Sequence, residues 1–201
     1  MGADLGRWVP LPLNEVAGLF SSFPGTWWIA GGFAVELAVG HPVRDEHGDI
    51  DVGVVRSDHL TLHDVLRGWE LWAADPPGSL RRWSPGEQLP AHVHDVWCKQ
   101  GPEAPWGLQV MIDDTDGDEW VSRRDSAVRR PLAEIIGVGS SGVPYLIPAV
   151  QMYYKAARHR PKDDVDLRAV LPVMTGEERR WLRATVEATF PGHPWLSVVH
   201  G

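Results

Sequence analysis

Residues 48–55 read GDIDVGVV, a run typical of a buried β-strand except for two aspartates one residue apart, Asp49 and Asp51. Successive side chains of a strand point to opposite faces, so both carboxylates face one side while Ile50 and Val52 point into the core. Carboxylates held this close repel each other, and a bound cation or an arginine offsets the repulsion. Oxygen ligands of this kind suit Mg²⁺, which takes one or two carboxylates together with substrate phosphates. An isolated Asp-x-Asp is common by chance. The alternative to a metal site is therefore that both aspartates are exposed at the end of the strand and bind nothing.

A glycine pair precedes this stretch. Gly31 and Gly32 follow the apolar run TWWIA and precede a predicted helix over residues 33–40. Glycines at a helix N-terminus let backbone N–H groups approach an anion, and the helix dipole favours phosphate there. The alternative is that the two glycines only form a tight turn, which needs positive φ. The order of strand, glycine pair, helix, basic loop with Arg44 and His47, and then Asp-x-Asp favours phosphate and metal binding together.

The charge of the chain restricts its partners. Its 201 residues carry a formal net charge of −8, and the sequence pI is near 5.5. A protein that binds duplex nucleic acid needs a basic face to neutralise phosphates, so that class is disfavoured. An acidic protein is better suited to a small cationic molecule.

The cysteine content and hydropathy predict a compartment. Cys98 is the only cysteine, so no internal disulfide can form, which fits a reducing cytoplasm. The N-terminal sequence lacks a basic start followed by an apolar run, and no apolar segment approaches the roughly 20 residues of a membrane span. We therefore expect a cytoplasmic protein without a membrane partner.

Hydrophobic periodicity indicates mixed α and β structure followed by helices. Strands are predicted over residues 26–32, 49–55, 70–75, 94–100 and 106–114. Helices are predicted over residues 10–23, 33–40, 57–68, 146–160, 163–171 and 176–190. The change near residue 140 is the expected domain boundary.

Residues 27–54, WWIAGGFAVELAVGHPVRDEHGDIDVGV, resemble the core of the DNA polymerase β-like nucleotidyltransferase superfamily. They are most similar to its antibiotic-modifying branch, the aminoglycoside 2''-adenylyltransferases and lincosamide nucleotidyltransferases. The residues that carry the resemblance are Trp27, Trp28, Gly31, Gly32, Glu36, Arg44, His47, Asp49 and Asp51. Val43 replaces the usual threonine of this branch. Residues 144–172 are similar to the helix and KD-x-x-D element that follow the catalytic domain in this branch.

This resemblance implies an α+β fold and a reaction. The catalytic core, a small mixed sheet with flanking helices, would span residues 1–140, and a helical C-terminal region would span residues 141–201. The reaction would be the Mg²⁺-dependent transfer of a nucleoside monophosphate, AMP from ATP, onto a hydroxyl of a small molecule such as an aminoglycoside or lincosamide antibiotic. Asp49 and Asp51 would hold the metal, and the glycine pair would hold the terminal phosphates.

The third carboxylate of such a site is the point at which this sequence departs from the family. It usually lies on a neighbouring strand and acts as general base toward the acceptor hydroxyl. In the strand WGLQVMI the corresponding position is Gln109, whose neutral amide cannot take a proton. Asp113 lies on the same strand face as Gln109, since the separation is even. We expect Asp113 to be the catalytic carboxylate and Asp95, on the partner strand, to be the second candidate. The alternative is that Asp113 and Asp95 are ordinary acidic residues at strand ends without a catalytic role.

Four basic residues are expected to bind the nucleotide: Arg44, His47, Lys155 and Lys162. Lys155 follows two tyrosines on a predicted helix and could reach a triphosphate as a point charge. The alternatives are a solvated surface side chain for Lys155 and a local i,i+4 pair with Asp166 for Lys162.

Two classes of function follow from these patterns. The intact glycine pair and Asp-x-Asp favour a small-molecule nucleotidyltransferase. Gln109 favours a catalytically degenerate protein of the same fold that acts in nucleotide binding or in a toxin–antitoxin type interaction. An RNA-directed nucleotidyltransferase is disfavoured by the negative net charge.

Overall fold

The structure, a computed structural model, describes residues 6–200. This part of the chain divides into two compact units, each built from two chain segments. The first unit comprises residues 6–29 and 46–114, and the second comprises residues 30–45 and 115–200. None of the described helices combines the length and apolarity that crossing a membrane requires. The functional division predicted near residue 140 stays a prediction.

Ten strands and six α-helices are assigned within the described residues. The strands are β1 (Trp27–Ala30), β2 (Asp51–Val55), β3 (Glu70–Ala73), β4 (Arg81–Arg82), β5 (Asp95–Lys99), β6 (Leu108–Asp116), β7 (Glu119–Val121), β8 (Arg129–Pro131), β9 (Ile136–Val138) and β10 (Pro144–Leu146). The helices are α1 (Leu13–Phe20), α2 (Gly31–Val39), α3 (Leu62–Val65), α4 (Pro148–Ala156), α5 (Pro161–Val170) and α6 (Gly176–Thr189). Short 3₁₀ helices lie at Arg56–Thr61, Leu132–Glu134 and Pro194–Ser197.

The first unit is built on a mixed sheet whose strand order is β4-β3-β5-β6-β2-β1. Strands β2 and β6 are parallel, whereas β5 pairs antiparallel with both β6 and β3. Residues that are opposite in register share a face of the sheet. The register therefore determines which side chains of the three central strands lie together.

The two faces of this sheet differ in burial. One face is apolar and fully buried, with Val52, Val54, Val96, Cys98, Leu108, Val110 and Ile112 all at 0% exposure. The other face is half-buried and carries polar and aromatic side chains, among them Asp51, Asp95, Trp97 and Gln109. The sequence of β2 predicted this arrangement, since its apolar side chains alternate with the aspartates.

Strand β2 contains a glycine, Gly53, because the side chain of Trp28 lies against its backbone. A Cβ atom at this position would lie 2.1 Å from Nε1 of Trp28, far inside van der Waals contact. Trp28 is itself fully buried on the neighbouring strand. The tryptophan-rich strand and the glycine are therefore matched to each other, and any side chain at Gly53 would displace the indole.

Local hydrogen bonds shorten several of the predicted elements. The strand predicted over residues 49–55 begins at Asp51, and the helix predicted over 57–68 is a 3₁₀ turn followed by the four-residue α3. Thr61 Oγ1 donates to Asp58 O at 2.6 Å, and such side-chain bonds to carbonyls three residues earlier compete with the α-helical pattern. The first helix, predicted over residues 10–23, begins at Leu13, after Pro12, whose carbonyl accepts from the backbone N–H groups of Glu15 and Val16.

The second unit combines helices with two antiparallel hairpins, β7–β8 and β9–β10. Helix α4 packs against α2, α5 and α6, and nearly all of its residues are buried. Pro148 occupies its first turn, where a proline is tolerated because its missing N–H has no partner within the helix. The helix predicted over residues 146–160 starts later because residues 144–146 pair with β9. The C-terminal part is thus less purely helical than predicted.

Candidate active site

The two motif aspartates stand at the start of β2. Asp51 is the first residue of the strand and half-buried, and Asp49 precedes the strand and is exposed. Ile50 and Val52 are both at 0% exposure. This alternation of burial places both carboxylates on the solvent side, as the sequence predicts.

Gln109 lies directly beside Asp51. The two residues are register partners in the parallel β2–β6 pair. Gln109 therefore stands where the neighbouring strand would present a third side chain to the Asp-x-Asp pair. An amide at this position offers an oxygen ligand or a hydrogen-bond donor, and it cannot serve as a base.

Asp95 is connected to the Asp-x-Asp pair by a hydrogen bond from Gln109. The Gln109 side chain donates from Nε2 to Oδ1 of Asp95 at 3.0 Å. Asp95 is half-buried at the start of β5, on the same face of the sheet as Asp51 and Gln109. The structure thus brings together Asp51, Gln109 and Asp95 on three adjacent strands.

Asp113 lies farther along the same face. It is the register partner of Val55, four residues beyond Gln109, which corresponds to about 13 Å along the strand. Its side chain is buried, with 4% exposure. The catalytic roles of Asp113 and Asp95 both stay predictions, and the geometry brings Asp95 nearer to the Asp-x-Asp pair.

The donor set at the head of β2 fits a hard cation. Within residues 6–200, no group of three or more His, Cys, Asp or Glu side chains is placed to hold a metal by itself. Asp49 and Asp51 supply two carboxylates without nitrogen or sulfur ligands. Mg²⁺ is commonly bound by one or two carboxylates and completes its shell with water and substrate phosphates, so these two residues suit it.

The glycine pair forms the first turn of α2 in the second unit. Gly31 has φ +69°, a left-handed conformation that favours glycine, so the turn needs this residue type. The N–H of Gly31 donates to Oε1 of Gln151 at 2.8 Å. Gln151 lies on α4 and is 5% exposed. Sequence reasoning missed Gln151, because a single glutamine in an apolar helix has no spacing signal.

Glu36 organises the basic loop that follows α2. Its Oε1 accepts the backbone N–H groups of Val43 at 2.9 Å and of Arg44 at 3.2 Å. Gly40 ends the helix in the left-handed conformation with φ +80°. Two main-chain donors of the loop are thus fixed by one acidic side chain, which the resemblance had already singled out.

The KD-x-x-D element holds a buried ion network, formed by Arg44, Lys155, Arg160, Asp163 and Asp166. Lys155 Nζ lies 2.8 Å from Asp166 Oδ2 and 3.4 Å from Asp163 Oδ1. Arg44 Nη2 donates to Asp166, and Arg160 Nε lies 3.0 Å from Asp163 Oδ2. The two aspartates are 0% and 1% exposed. Burial acts to raise the pKa of Asp163, but the Arg160 hydrogen bond and the Lys155 and Arg160 charges lower the pKa below its ordinary value.

This network rules out the two alternatives given for Lys155 and Lys162. The local Lys162–Asp166 pair is wrong, because Asp166 binds Arg44 and Lys155 while Lys162 is exposed. Lys155 is buried, so the alternative of a solvated surface lysine is also wrong. His47 is half-buried in the first unit. The nucleotide-binding roles of all four basic residues stay predictions.

The segment around these residues matches a known family. The family model described as aminoglycoside-2''-adenylyltransferase matches residues 12–71, which contain the glycine pair, Arg44 and both aspartates of Asp-x-Asp. The chain is similar to the aminoglycoside 2''-adenylyltransferases. No curated protein sequence matches it significantly. The family model supports the predicted adenylyltransferase-like enzyme, and it confirms the resemblance.

Two solved structures share the fold. A crystal structure of ANT(2'')-Ia in complex with adenylyl-2''-tobramycin matches with a TM-score of 0.52 at 13% identity, covering 88% of this chain and 95% of that one. A solution structure of the antibiotic-resistance factor ANT(2'')-Ia matches with a TM-score of 0.56 at 15% identity, covering 94% and 96%. The predicted α+β nucleotidyltransferase fold is thereby confirmed.

Proposed function

We propose that this protein is a Mg²⁺-dependent adenylyltransferase that moves AMP from ATP onto a hydroxyl of an aminoglycoside-like small molecule. One observation carries the proposal: the family match includes an Asp-x-Asp whose two carboxylates lie on the solvent side of the sheet. The predicted compartment is the cytoplasm.

Asp49 and Asp51 hold the metal in this proposal. When bound, Mg²⁺ neutralises the triphosphate charge and lowers the barrier to attack on the α-phosphorus. The two carboxylates supply fixed negative charge at the head of β2. Their mutual repulsion, which costs stability in the absence of a cation, favours binding of one.

Asp95 is the general base. It accepts the proton of the acceptor hydroxyl as that oxygen attacks the α-phosphorus and pyrophosphate leaves. Gln109 orients the Asp95 carboxylate through the 3.0 Å hydrogen bond from Nε2. Asp113 is the alternative base, and the comparison of Asp95 and Asp113 variants below separates the two.

The nucleotide phosphates are bound by the glycine turn and by the predicted basic residues. The N–H groups that follow Gly31 in the first turn of α2 act as phosphate donors, since the first four N–H groups of a helix lack partners within the helix. Arg44, whose side chain is 16% exposed beside Asp166, adds a positive charge. Lys155, Lys162 and His47 complete the predicted set, and Lys155 acts mainly by holding the two aspartates of the ion network.

The acceptor is a cationic amino sugar. The net charge of −8 suits such a ligand electrostatically. The matched ANT(2'')-Ia structure contains adenylyl-2''-tobramycin, the product of adenylating an aminoglycoside. Lincosamides are the second acceptor class.

The deciding experiment measures pyrophosphate release from ATP and Mg²⁺ in the presence of tobramycin, other aminoglycosides and lincosamides. We expect release that depends on both metal and acceptor, with mass spectrometry detecting one added AMP on the acceptor. GTP, CTP and UTP serve as parallel co-substrates. Absence of transfer with every acceptor and nucleotide would contradict the proposal.

A catalytically degenerate nucleotide-binding protein is the second candidate, and Gln109 is the observation that favours it. In that case calorimetry would detect Mg²⁺-dependent ATP binding, but no acceptor would release pyrophosphate. The same two measurements therefore separate the two functions.

A further inference from the structure

We propose that Trp97 is an acceptor-binding residue, whose indole ring holds the amino sugar beside Asp95. This deepens the proposed function and rests on it, because it assumes that an acceptor hydroxyl is adenylated at the head of β2. It adds an aromatic surface to a site otherwise described by its carboxylates and its glutamine.

The strand register places Trp97 in line with the carboxylate site. Asp51 is the register partner of Gln109, and Gln109 is the register partner of Trp97. Neighbouring strands are about 4.8 Å apart, so the backbone of Trp97 lies two strand spacings, about 10 Å, from that of Asp51. Asp95 comes two residues before Trp97 on β5, so both side chains point to the same face. The ring therefore stands next to the proposed base, where an acceptor has to lie.

Trp97 belongs to a tryptophan cluster of the first unit, formed by Trp8, Trp72, Trp97 and Trp106. The ring centroid of Trp97 lies 4.9 Å from that of Trp8 and 5.6 Å from that of Trp106, and both pairs are edge-to-face. Trp72 is the register partner of Trp97 on β3. Trp106 is buried, whereas the other three rings are half-buried. These contacts fix the orientation of Trp97 and leave part of its ring open to a ligand.

The indole N–H of Trp97 is an unused hydrogen-bond donor. The N–H of Trp72 donates to Oε2 of Glu70 at 3.2 Å, as is usual for a tryptophan packed against protein. Within residues 6–200, no protein group accepts from Nε1 of Trp97, and this nitrogen is open to solvent. A hydroxyl oxygen of a sugar accepts such a bond. The donor thus fits a ligand that carries hydroxyl groups.

The charges around the ring select a cationic ligand. An ammonium group is attracted to the face of a tryptophan, and this cluster already holds one, since Lys99 Nζ lies 5.1 Å from the ring centroid of Trp106 and 5.9 Å from that of Trp72. On the other side of Trp97, the Asp95 carboxylate adds negative charge. An amino sugar supplies ammonium groups for the ring and the carboxylate, and hydroxyl groups for the indole N–H.

The test measures pyrophosphate release on the full chain with Mg²⁺ and gives two constants, the KM for tobramycin and the KM for ATP. Trp97→Leu keeps apolar volume but removes the aromatic face and the donor. We expect its KM for tobramycin to rise about tenfold, since a cation–π contact and a hydrogen bond are lost. Its KM for ATP should stay within about twofold. Trp97→Phe keeps a ring and loses only the donor, so a several-fold rise in the KM for tobramycin is expected.

Trp181→Leu is the matched control. Trp181 is a half-buried tryptophan on α6 of the second unit, where it packs edge-to-face on Tyr153. Its loss should leave both KM values within about twofold of the wild-type values. A tryptophan that only supports the fold would, when replaced, lower the amount of active enzyme and leave the KM for tobramycin unchanged.

Thermal unfolding without ligands shows whether each variant is folded. An unchanged KM for tobramycin in folded Trp97→Leu overturns the proposal. A rise in the KM for ATP alone also overturns it, because the ring would then contact the nucleotide base. If Trp97→Leu does not fold, Trp97→Phe decides by the same two constants. A wild-type protein that transfers AMP to no acceptor contradicts the proposed function itself, which is a different result from any of these.

Discussion

Two pairs of aspartates in this protein have opposite surroundings. Asp163 and Asp166, on α5, are almost completely buried and are matched by Lys155, Arg44 and Arg160 from the same unit. Asp49 and Asp51, at the head of β2, lie on the solvent side of their sheet, exposed and half-buried. A carboxylate pair enclosed with protein cations stabilises the fold, whereas a pair that faces solvent is placed to bind a ligand. The surroundings, and not the residue type, separate the structural pair from the pair that we propose to bind the metal.

Neutralising the solvent-facing pair tests whether these two carboxylates bind a ligand and do not stabilise the fold. Asp49→Asn with Asp51→Asn should lower adenylyl transfer by about 10³-fold or more and abolish Mg²⁺-dependent ATP binding, because metal stabilisation of the transition state is worth several kcal/mol. The free energy of unfolding should change by less than about 1 kcal/mol, since neither carboxylate is buried. Pyrophosphate release, calorimetry and thermal unfolding measure the three quantities.

Asp45→Asn is the control for this double variant. Asp45 is exposed and lies four residues before Asp49, so the substitution removes a nearby charge without touching the motif. It should retain transfer and binding. Unchanged metal-dependent binding in the Asp49 and Asp51 double variant would refute the metal site.

The second comparison concerns the carboxylate that acts as base. Asp95→Asn should lower the transfer rate by about 10²-fold, the usual contribution of general base catalysis, while an asparagine oxygen still accepts the Gln109 hydrogen bond. Asp113→Asn should affect the rate much less, because its position opposite Val55 is about 13 Å along the strand from Gln109. Rates under saturating ATP and acceptor measure both. The reverse order of effects would assign the base to Asp113.

The buried pair can be tested through its lysine. Lys155→Met leaves Asp163 and Asp166 with one fewer cation in a buried site, and we expect a loss of about 3 kcal/mol in the free energy of unfolding. Lys162→Met is the matched control, since Lys162 is exposed seven residues away and should change stability by less than about 0.5 kcal/mol. Denaturant unfolding measures both. Equal stabilities would show that Lys155 is not needed to neutralise the aspartates.

The difference between the two pairs also explains what the sequence could predict. The order of the glycine pair and Asp-x-Asp and the alternation in β2 depend on local spacing, and the placement of these residues follows from it. The predicted fold and the correspondence of Gln109 to the third carboxylate were implied by the resemblance of this segment to the nucleotidyltransferases. The ion network depends on Arg44 meeting Asp166, 122 residues away, and Gln151 meets Gly31 across 120 residues. No periodicity connects such pairs, so sequence reasoning assigned Arg44 and Lys155 to the nucleotide without their aspartate partners and did not identify Gln151.

Acid should weaken the stability that Asp163 contributes to the buried pair. Burial acts to raise its pKa, but the Arg160 hydrogen bond and the Lys155 and Arg160 charges outweigh burial and hold the pKa below the ordinary value of 3.8. As pH falls, the unfolded chain therefore binds this proton before the folded protein does. The stability that Asp163 contributes is fully present above the ordinary carboxylate pKa of about 4, and it is lost as pH falls through the lower folded-state pKa.

Asp163→Asn removes this titration, so its unfolding free energy should fall less steeply below about pH 4 than that of the wild-type protein. The Asn Oδ1 can still accept from Lys155 and from Arg160 Nη2, but its Nδ2 replaces the oxygen that accepts from Arg160 N and Nε, so the two proteins are compared by the slope of stability against pH and not by absolute stability. The pKa of Asp164 is also lowered, by hydrogen bonds from Trp195 and His159, but this carboxyl is present in both proteins, so its contribution cancels in the comparison. Denaturant unfolding at a series of pH values gives the two slopes. Parallel slopes would mean that Asp163 titrates alike in the folded and unfolded chains, and that its buried partners do not stabilise the charged form.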